Sequence, residues 1–266
     1  MLRPPEHVQR WRDRRDRYRP AGEVIRTRDY EVAAIAEDRV AKGFVQHHHY
    51  SASYPAARFR QGLYRHGELV GVAVFSHPAH DRVLTSVFPG VATAAVELGR
   101  FVLLDDVPGN GETWFLARAF EQLRREGLEG VVSFSDPVPR TCADGASVFP
   151  GHIGVIYQAH NAIYLGRGRA QVLRILPDGR AFSHRAVTKL RSGVRGWRYA
   201  AAMLEHHGAT PAPADDVGRR AWAAHWIAAL TRPLRHAGNH KYAWGLTTAG
   251  RRALVTSLPY PKRLAA

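Results

Sequence analysis

The 266-residue chain has one cysteine, four lysines, two methionines and no long apolar run. The single Cys142 excludes a disulfide framework and any zinc site built from several cysteines. No window approaches the roughly 18 apolar residues that a membrane span needs. The opening MLRPPEHVQRWRDRRD lacks the apolar centre of a signal peptide. These absences lead us to expect a cytoplasmic, reducing setting. Lysine is scarce because arginine replaces it: 34 of the 38 basic residues are Arg. Hydrophobic residues make up 45% of the chain, so a core can form and compositional disorder is excluded. With 23 acids the formal net charge is +15, which favours a polyanionic partner.

Acid is scarcest at the C-terminal end. Residues 1–30 carry nine Arg against five acids, a net +4. Residues 31–165 carry 11 basic and 14 acidic side chains, a net −3. Residues 166–266 carry 18 basic and four acidic ones, a net +14. An Arg-rich proteome explains Arg over Lys but not this segregation. We expect a charge-balanced enzymatic middle and a polyanion-binding last third.

Patterning supplies the elements. Residues 1–22 lack periodicity and are expected to form a helical or loose arm. Tyr30–Ala36 alternates like a strand, and a helical stretch follows to about Lys42. Gly62–Arg65, a His66-Gly67 turn and ELVGVAVF form a hairpin signal. VELGRFVLL (96–104) is expected to be a buried strand. After it, DDVPGNG is turn chemistry, and TWFLARAFEQLRREG is an amphipathic helix ending at Gly127. GVVSFS (130–135) reads as a strand, IGVIYQAHN as a helix and AIYLG as a strand. Further on come a hairpin about Pro177-Asp178-Gly179, a helix capped by Ser183, a helix from Trp197 to His207, and RRAWAAHWIAAL. This order fits an α/β fold with a mixed sheet.

Several polar residues break the apolar pattern. Arg100 lies inside VELGRFVLL, where strict alternation puts it on one face with Leu98, Val102 and Leu104. A guanidinium there needs a partner unless its stem alone is buried. Ser133, Ser135 and Asp136 close a central strand, the place where α/β folds put chemistry, or they simply end it in a turn. An Arg100–Asp136 pair across neighbouring strands would satisfy both residues and set a carboxylate near a substrate amine. His47, His48, His49 and Tyr50 form a run. Two of these histidines, with His152 or His160, are a weak metal pattern; a surface run in a His-rich chain is the plainer reading. Tyr157 is a proton donor, a stacking platform or a core tyrosine. The tail Asn239–Trp244 and Tyr260–Arg263 mixes aromatics with cations, as phosphate contacts with base stacking require; a solvated terminal strand is the alternative.

Six blocks carry a resemblance: HHHYSASYPAARF, ELGRFVLLDDVPGNGETWFLARAFEQLR, GVVSFSDP, PGHIGVIYQAHNAIYLGRG, LPDGRAFSHRAVTKLRSGVRGW and GNHKYAWGL with SLPYPKR. In this order, from about Gly43 to Arg263, the chain resembles the phage Mom family. The resemblance implies a GNAT-like α/β fold, a mixed central sheet flanked by helices, with a basic C-terminal extension. The expected division is a basic arm (1–30), a catalytic core (31–166) and a DNA-binding extension (167–266). The implied activity is conversion of adenine to N6-carbamoylmethyladenine in phage DNA, which protects that DNA from host restriction. It would run in the host cytoplasm on double-stranded DNA.

By the same resemblance His49, Tyr50, Arg100, Ser133 or Ser135 (Ser135 preferred), Asp136 and Tyr157 are the catalytic candidates. The DNA-binding candidates, Arg185, Lys189, Arg191, Arg195, Lys241, Lys262 and Arg263, come from the basic last third. Gly109 and Gly111 mark the loop where GNAT enzymes hold the pyrophosphate of acyl-CoA. This chain departs from that loop pattern: the leading Gln or Arg is missing, and Asp105, Asp106 and Glu112 stand nearby. The donor is therefore open between an acyl-CoA-type carrier and another compound, and iron bound through the histidine run is a further option. Two other classes compete: an acyl-CoA-dependent N-acyltransferase acting on a small molecule or protein, and a non-catalytic DNA-binding protein on a decayed enzyme core.

Overall fold

A computed structural model describes residues 7–12, 15–20, 22–51, 53–254 and 256–262. In chain order the first elements are β1 (His7–Arg12), β2 (Arg15–Pro20), β3 (Tyr30–Ala34), α1 (Asp38–His48), β4 (Ala57–Arg65) and β5 (Glu68–Ser76). Next come α2 (Arg82–Val87), β6 (Ala95–Leu103), α3 (Gly111–Arg125), β7 (Gly130–Ser135), β8 (Arg140–Thr141) and β9 (Ser147–Phe149). Then follow α4 (Val155–Ala159), β10 (Ile163–Arg167), β11 (Gln171–Ile175), β12 (Ala181–Phe182), α5 (His184–Ser192) and α6 (Trp197–Glu205). The last are α7 (Asp216–Leu230), β13 (Arg232–His236), β14 (His240–Gly245) and α8 (Thr248–Ala253).

Contacts group the chain into two units. The first holds the residues up to Pro137, His152–Gly168 and Asn239 onward; the second holds Val138–Gly151 and Arg169–Gly238. The last hundred residues are thus not one extension running from 167 to 266, because the chain returns to the first unit at Asn239. The arm also differs from expectation. Within residues 1–22, β1 and β2 pair as an antiparallel hairpin, where a helix or loose segment was expected.

The first unit is built on a seven-stranded sheet in the order β10-β14-β7-β6-β5-β4-β3. The α/β class and the mixed sheet flanked by helices are as the sequence leads one to expect. β4 and β5 form the hairpin through His66 (φ 50°) and Gly67 (φ 86°), the two left-handed residues of a tight primed turn. β6 and β7 form the parallel pair, joined by α3 as the crossover, and the other neighbours run antiparallel. Successive β5 residues face opposite layers. Phe75 packs with Phe115, Leu116 and Phe120 of α3, whereas Val72 and Val74 pack with Ala41 and Val45 of α1. Each large apolar side chain sealed this way contributes about 1.5–3 kcal/mol.

β14 corrects the reading of the tail. It lies between β7 and β10 with Tyr242 fully buried and Trp244 6% exposed. These rings belong to the core against Tyr157 and Phe120 and are not base-stacking platforms. Their apolar area outweighs the charge of the flanking residues.

The second unit packs α5, α6 and α7 around Phe182, Leu190, Leu204, Trp222 and Ile227. Ser183 caps α5 by accepting from the Ala186 N–H at 3.1 Å, and Gly193 (φ 67°) ends it. Asp215 caps α7 through the Gly218 N–H at 2.7 Å. Arg219, 2% exposed, ties these helix ends together. Its guanidinium donates to the carbonyls of Leu190 (3.0 Å) and Ala214 (3.1 Å) and lies over the Trp197 ring.

Candidate active site

The site lies in the first unit, where the parallel pair parts. β6 and β7 are in register from Ala95 opposite Gly130 to Leu98 opposite Ser133. Beyond Leu98, β6 continues against β5 alone. A bulge falls at the same point: Phe75 of β5 faces Leu98 and Val74 faces Arg100, so Gly99 has no partner. Bulges re-aim side chains. Leu98 keeps to the α3 layer, but Arg100 turns to the α1 layer with Val74 and Val102, which corrects the face expected from alternation. Glu97, opposite Ser76, comes to share that face with Arg100, although the two are an odd three positions apart.

The segment after α1 covers this face. Arg100 donates from Nε to the Ser53 carbonyl (2.8 Å), from Nη2 to Ser53 Oγ (2.6 Å) and from Nη1 to the Gly99 carbonyl. The expected Arg100–Asp136 pair is therefore replaced by Ser53, and the carboxylate that interacts electrostatically with Arg100 is Glu97. A Cβ on Gly99 would come within 2.9 Å of Ser76 Oγ and 3.2 Å of Pro55, so the segment lies flat only against a glycine. Tyr54 donates to Asp38 at 2.8 Å, and Arg60 donates to the same oxygen at 3.1 Å, which fastens the segment to α1.

His49 follows the last residue of α1, and its ring lies 4.2 Å from that of Tyr50. The Ser51 N–H donates to His49 Nδ1 at 3.2 Å, and Ser51 Oγ lies 2.9 Å from the same nitrogen. Burial, then the charges of Arg100 and His152, hold the His49 pKa well below the ordinary histidine value. The ring is neutral, and because Nδ1 accepts, its proton sits on Nε2. Tyr50 makes an edge contact with His152 at 6.1 Å, and the His152 N–H donates to the Asp136 carbonyl at 2.7 Å. The residues after β7 thus join the cluster through backbone.

Tyr157, 9% exposed, comes from α4 on the α3 side of the sheet. Burial raises its pKa, and Ser133, Glu97 and Arg100 are its electrostatic neighbours. Ser133 Oγ donates to the Leu98 carbonyl at 3.0 Å. Ser135 is fully buried, with an Oγ that finds no partner among the described residues. Gly154 (φ 75°) makes room there, since a Cβ would stand 2.7 Å from Tyr242 and 3.1 Å from Ser135 Oγ.

His49, Tyr50, Arg100 and Tyr157 are thus brought into one electrostatic cluster, with Ser135 and Asp136 at the end of the adjoining strand. This arrangement sits in a chain whose residues 29–262 match the model of the Mom protein family. The chain belongs to the Mom protein family. No curated protein matches it. Among solved structures, a tandem GNAT protein from the clavulanic acid biosynthesis pathway, determined without AcCoA, is similar at 11% identity and a TM-score of 0.35. The match covers 75% of this chain and 65% of that one, so this Mom-family chain spans a little under two thirds of that neighbour. Among the described residues no helix is long and apolar enough to cross a membrane.

The groups considered for a donor or metal fit this member poorly. Gly109 N–H, in the loop before α3, donates to the chain's own Glu23 carboxylate at 3.0 Å, and Asn110 Oδ1 accepts from the Ile25 N–H at 2.7 Å. Gly111 starts α3 against Val107, followed by a Glu112 that is 5% exposed. Two carboxylates at a helix start oppose a pyrophosphate, so the residues present do not fit acyl-CoA bound there. Among the described residues no three His, Cys, Asp or Glu side chains gather as a metal would need, and the His47–His49 run forms no such group. His47 is exposed, and its ring meets His48 edge-on at 4.5 Å.

The remaining expected contacts divide between the units. Arg185, Lys189 and Arg191 lie on α5 and Arg195 on the turn after it, in the second unit. Lys241 lies half-buried on β14 in the first unit, Lys262 is exposed near the C-terminus, and Arg263 lies outside the described residues. Sequence reasoning missed Glu97 and Ser53. Glu97 interrupts the buried run VELGRFVLL as Arg100 does, so the signal was there and was passed over; Ser53 gives no local signal.

Proposed function

We propose that this protein modifies adenine at N6 in double-stranded DNA, converting it to N6-carbamoylmethyladenine and protecting phage DNA from host restriction. The observation that carries the reading is the cluster of His49, Tyr50, Arg100 and Tyr157 at the parting of β6 and β7, in a chain of the Mom family. That family supports DNA adenine modification and a transferase class. The carbamoylmethyl group is the finer part of the proposal.

Adenine N6 is a poor nucleophile because its lone pair is delocalised into the ring, and inside a duplex it is hard to approach. The base is extruded into the site, where Tyr50 stacks on it. The neutral His49 donates from Nε2, the Arg100 cation stabilises negative charge that develops during transfer, and Tyr157 remains a neutral phenol at neutral pH. A carboxylate is needed for the N6 proton, and Asp136 and Glu97 are the two at hand.

Phosphates are held by the second unit. It carries thirteen Lys and Arg against five Asp and Glu, a net charge of +8. Between Gly179 and Leu204 there are six cations and no acid. Arg185, Arg191 and Arg195 are exposed there, while Lys189 lies over the Tyr199 ring. These cations, with Lys241, Lys262 and Arg263, are the proposed DNA contacts. The acyl-CoA-dependent alternative is disfavoured by Glu23 and Glu112 at the start of α3. The test is expression in a bacterium followed by mass spectrometry of its digested DNA. A deoxyadenosine heavier by a carbamoylmethyl group is expected, and unmodified DNA would sink the reading.

A further inference from the structure

Removal of the N6 proton needs an acceptor, and most polar groups at the parting of β6 and β7 are already committed. Nδ1 of His49 accepts from the Ser51 N–H, so the ring offers only a donor. Arg100 is a cation with three hydrogen bonds to Ser53 and Gly99. The hydroxyl proton of Ser133 goes to the Leu98 carbonyl. Tyr157 is a neutral phenol in a buried place. Glu97 is different. The Gly99 bulge puts it on the face of Arg100, beneath the segment that carries His49, Tyr50 and Ser53. It is half-buried, and among the described residues its carboxylate has no hydrogen-bond or ion-pair partner. A carboxylate that is partly dehydrated, unpartnered and beside a cation is kept at a cost to stability, as groups with a chemical task are.

We propose that Glu97 is the proton acceptor of this site. This rests on the DNA-modification reading. The donor is of the activated alkyl class, an electrophilic carbon bearing a leaving group. The N6 lone pair forms the new N–C bond. The bond from that carbon to the leaving group breaks, and its electron pair departs with the leaving group. The N6 proton passes to a Glu97 oxygen, and Arg100 beside it offsets the negative charge of the resting carboxylate. Burial raises the Glu97 pKa against the opposing pull of Arg100, which brings its basicity closer to neutral pH.

The test uses the full chain as wild type, Glu97→Gln, Glu97→Asp and Asp136→Asn. Each is expressed in bacteria, and the modified deoxyadenosine in digested plasmid DNA is measured by mass spectrometry. Purified variants are compared for duplex-oligonucleotide binding and thermal unfolding. Glu97→Gln is expected to lower product by about 100-fold or more, the low end for loss of a general base. It is also expected to bind duplex as wild type does and to melt at a higher temperature at pH 7, because the uncharged amide removes a dehydrated charge. Glu97→Asp should retain measurable product. Wild-type product from Glu97→Gln, with none from Asp136→Asn, would assign the role to Asp136 and overturn the proposal. Equal loss in folded Gln and Asp variants would make the role one of shape and overturn it too. A wild-type chain that leaves DNA unmodified would defeat the DNA reading itself, and this proposal with it.

Discussion

His49 is held neutral by its surroundings. Burial first, then Arg100 and His152, depress its folded-state pKa below 6.5. Above 6.5 the ring is neutral in both folded and unfolded chains, and its contribution to stability is complete. As pH falls from 6.5 toward the depressed value, the unfolded chain takes up a proton that the folded one refuses, and stability is lost. Denaturant unfolding between pH 7.5 and 5 should show this loss, and His49→Gln should reduce it; an unchanged acid slope in the variant would contradict the assignment. At this scale the sequence was informative where a polar side chain interrupts an apolar run, as at Arg100, or where side chains of one kind gather, as at His47–Tyr50. Glu97 interrupts the same buried run as Arg100, but only the tertiary structure shows that the two meet. Ser53, the partner of Arg100, was silent, because a serine in a loop looks like any other.

The hairpin, the long strand, the crossover helix and the Ser183-capped helix were all legible as elements, because apolar period and turn chemistry are local. What local pattern missed was the irregularity at Gly99. One extra residue in β6 turns Arg100 from the α3 layer to the α1 layer and brings Glu97 beside it. The glycine is required by the close approach of Ser76 and Pro55. Gly99→Ala is therefore expected to push the 49–55 segment outward. Destabilisation should be modest, about 1–3 kcal/mol for overpacking. Product should fall by at least about tenfold, because a displacement of order 1 Å at a catalytic constellation is costly. Denaturation and the DNA-digest assay on one preparation check this, and full activity would show that the bulge is not what aims Arg100. The reading of β14 failed for a related reason: cations flanking Tyr242 and Trp244 looked like a nucleic-acid surface, yet pairing with β7 and β10 turns those rings inward.

Net charge belongs to the whole molecule, and its segregation persists when the chain is divided by contacts instead of sequence position. The second unit keeps +8, and its acid-free stretch contains α5, the turn after it and most of α6. Duplex affinity should fall linearly on a log–log plot of binding against salt. Replacing Arg185, Arg191 and Arg195 together by Gln should flatten the slope by about 0.9 for each phosphate no longer neutralised, up to about 2.7. Titrations at several salt concentrations measure this, and an unchanged slope would place the DNA away from α5 and the turn after it. The sequence alone determined the class of fold, many of the elements between Tyr30 and Leu230 and the excess of positive charge. These depend on residue type and short-range periodicity. Only the tertiary structure decided which groups meet. A bulge changes the face of every residue beyond it, a C-terminal strand enters the sheet between two others, and a distant carboxylate, Glu23, occupies the loop before α3. Each joins parts of the chain far apart in sequence, and the free energy that selects it comes from packing and hydrogen bonds that exist only once those parts are together.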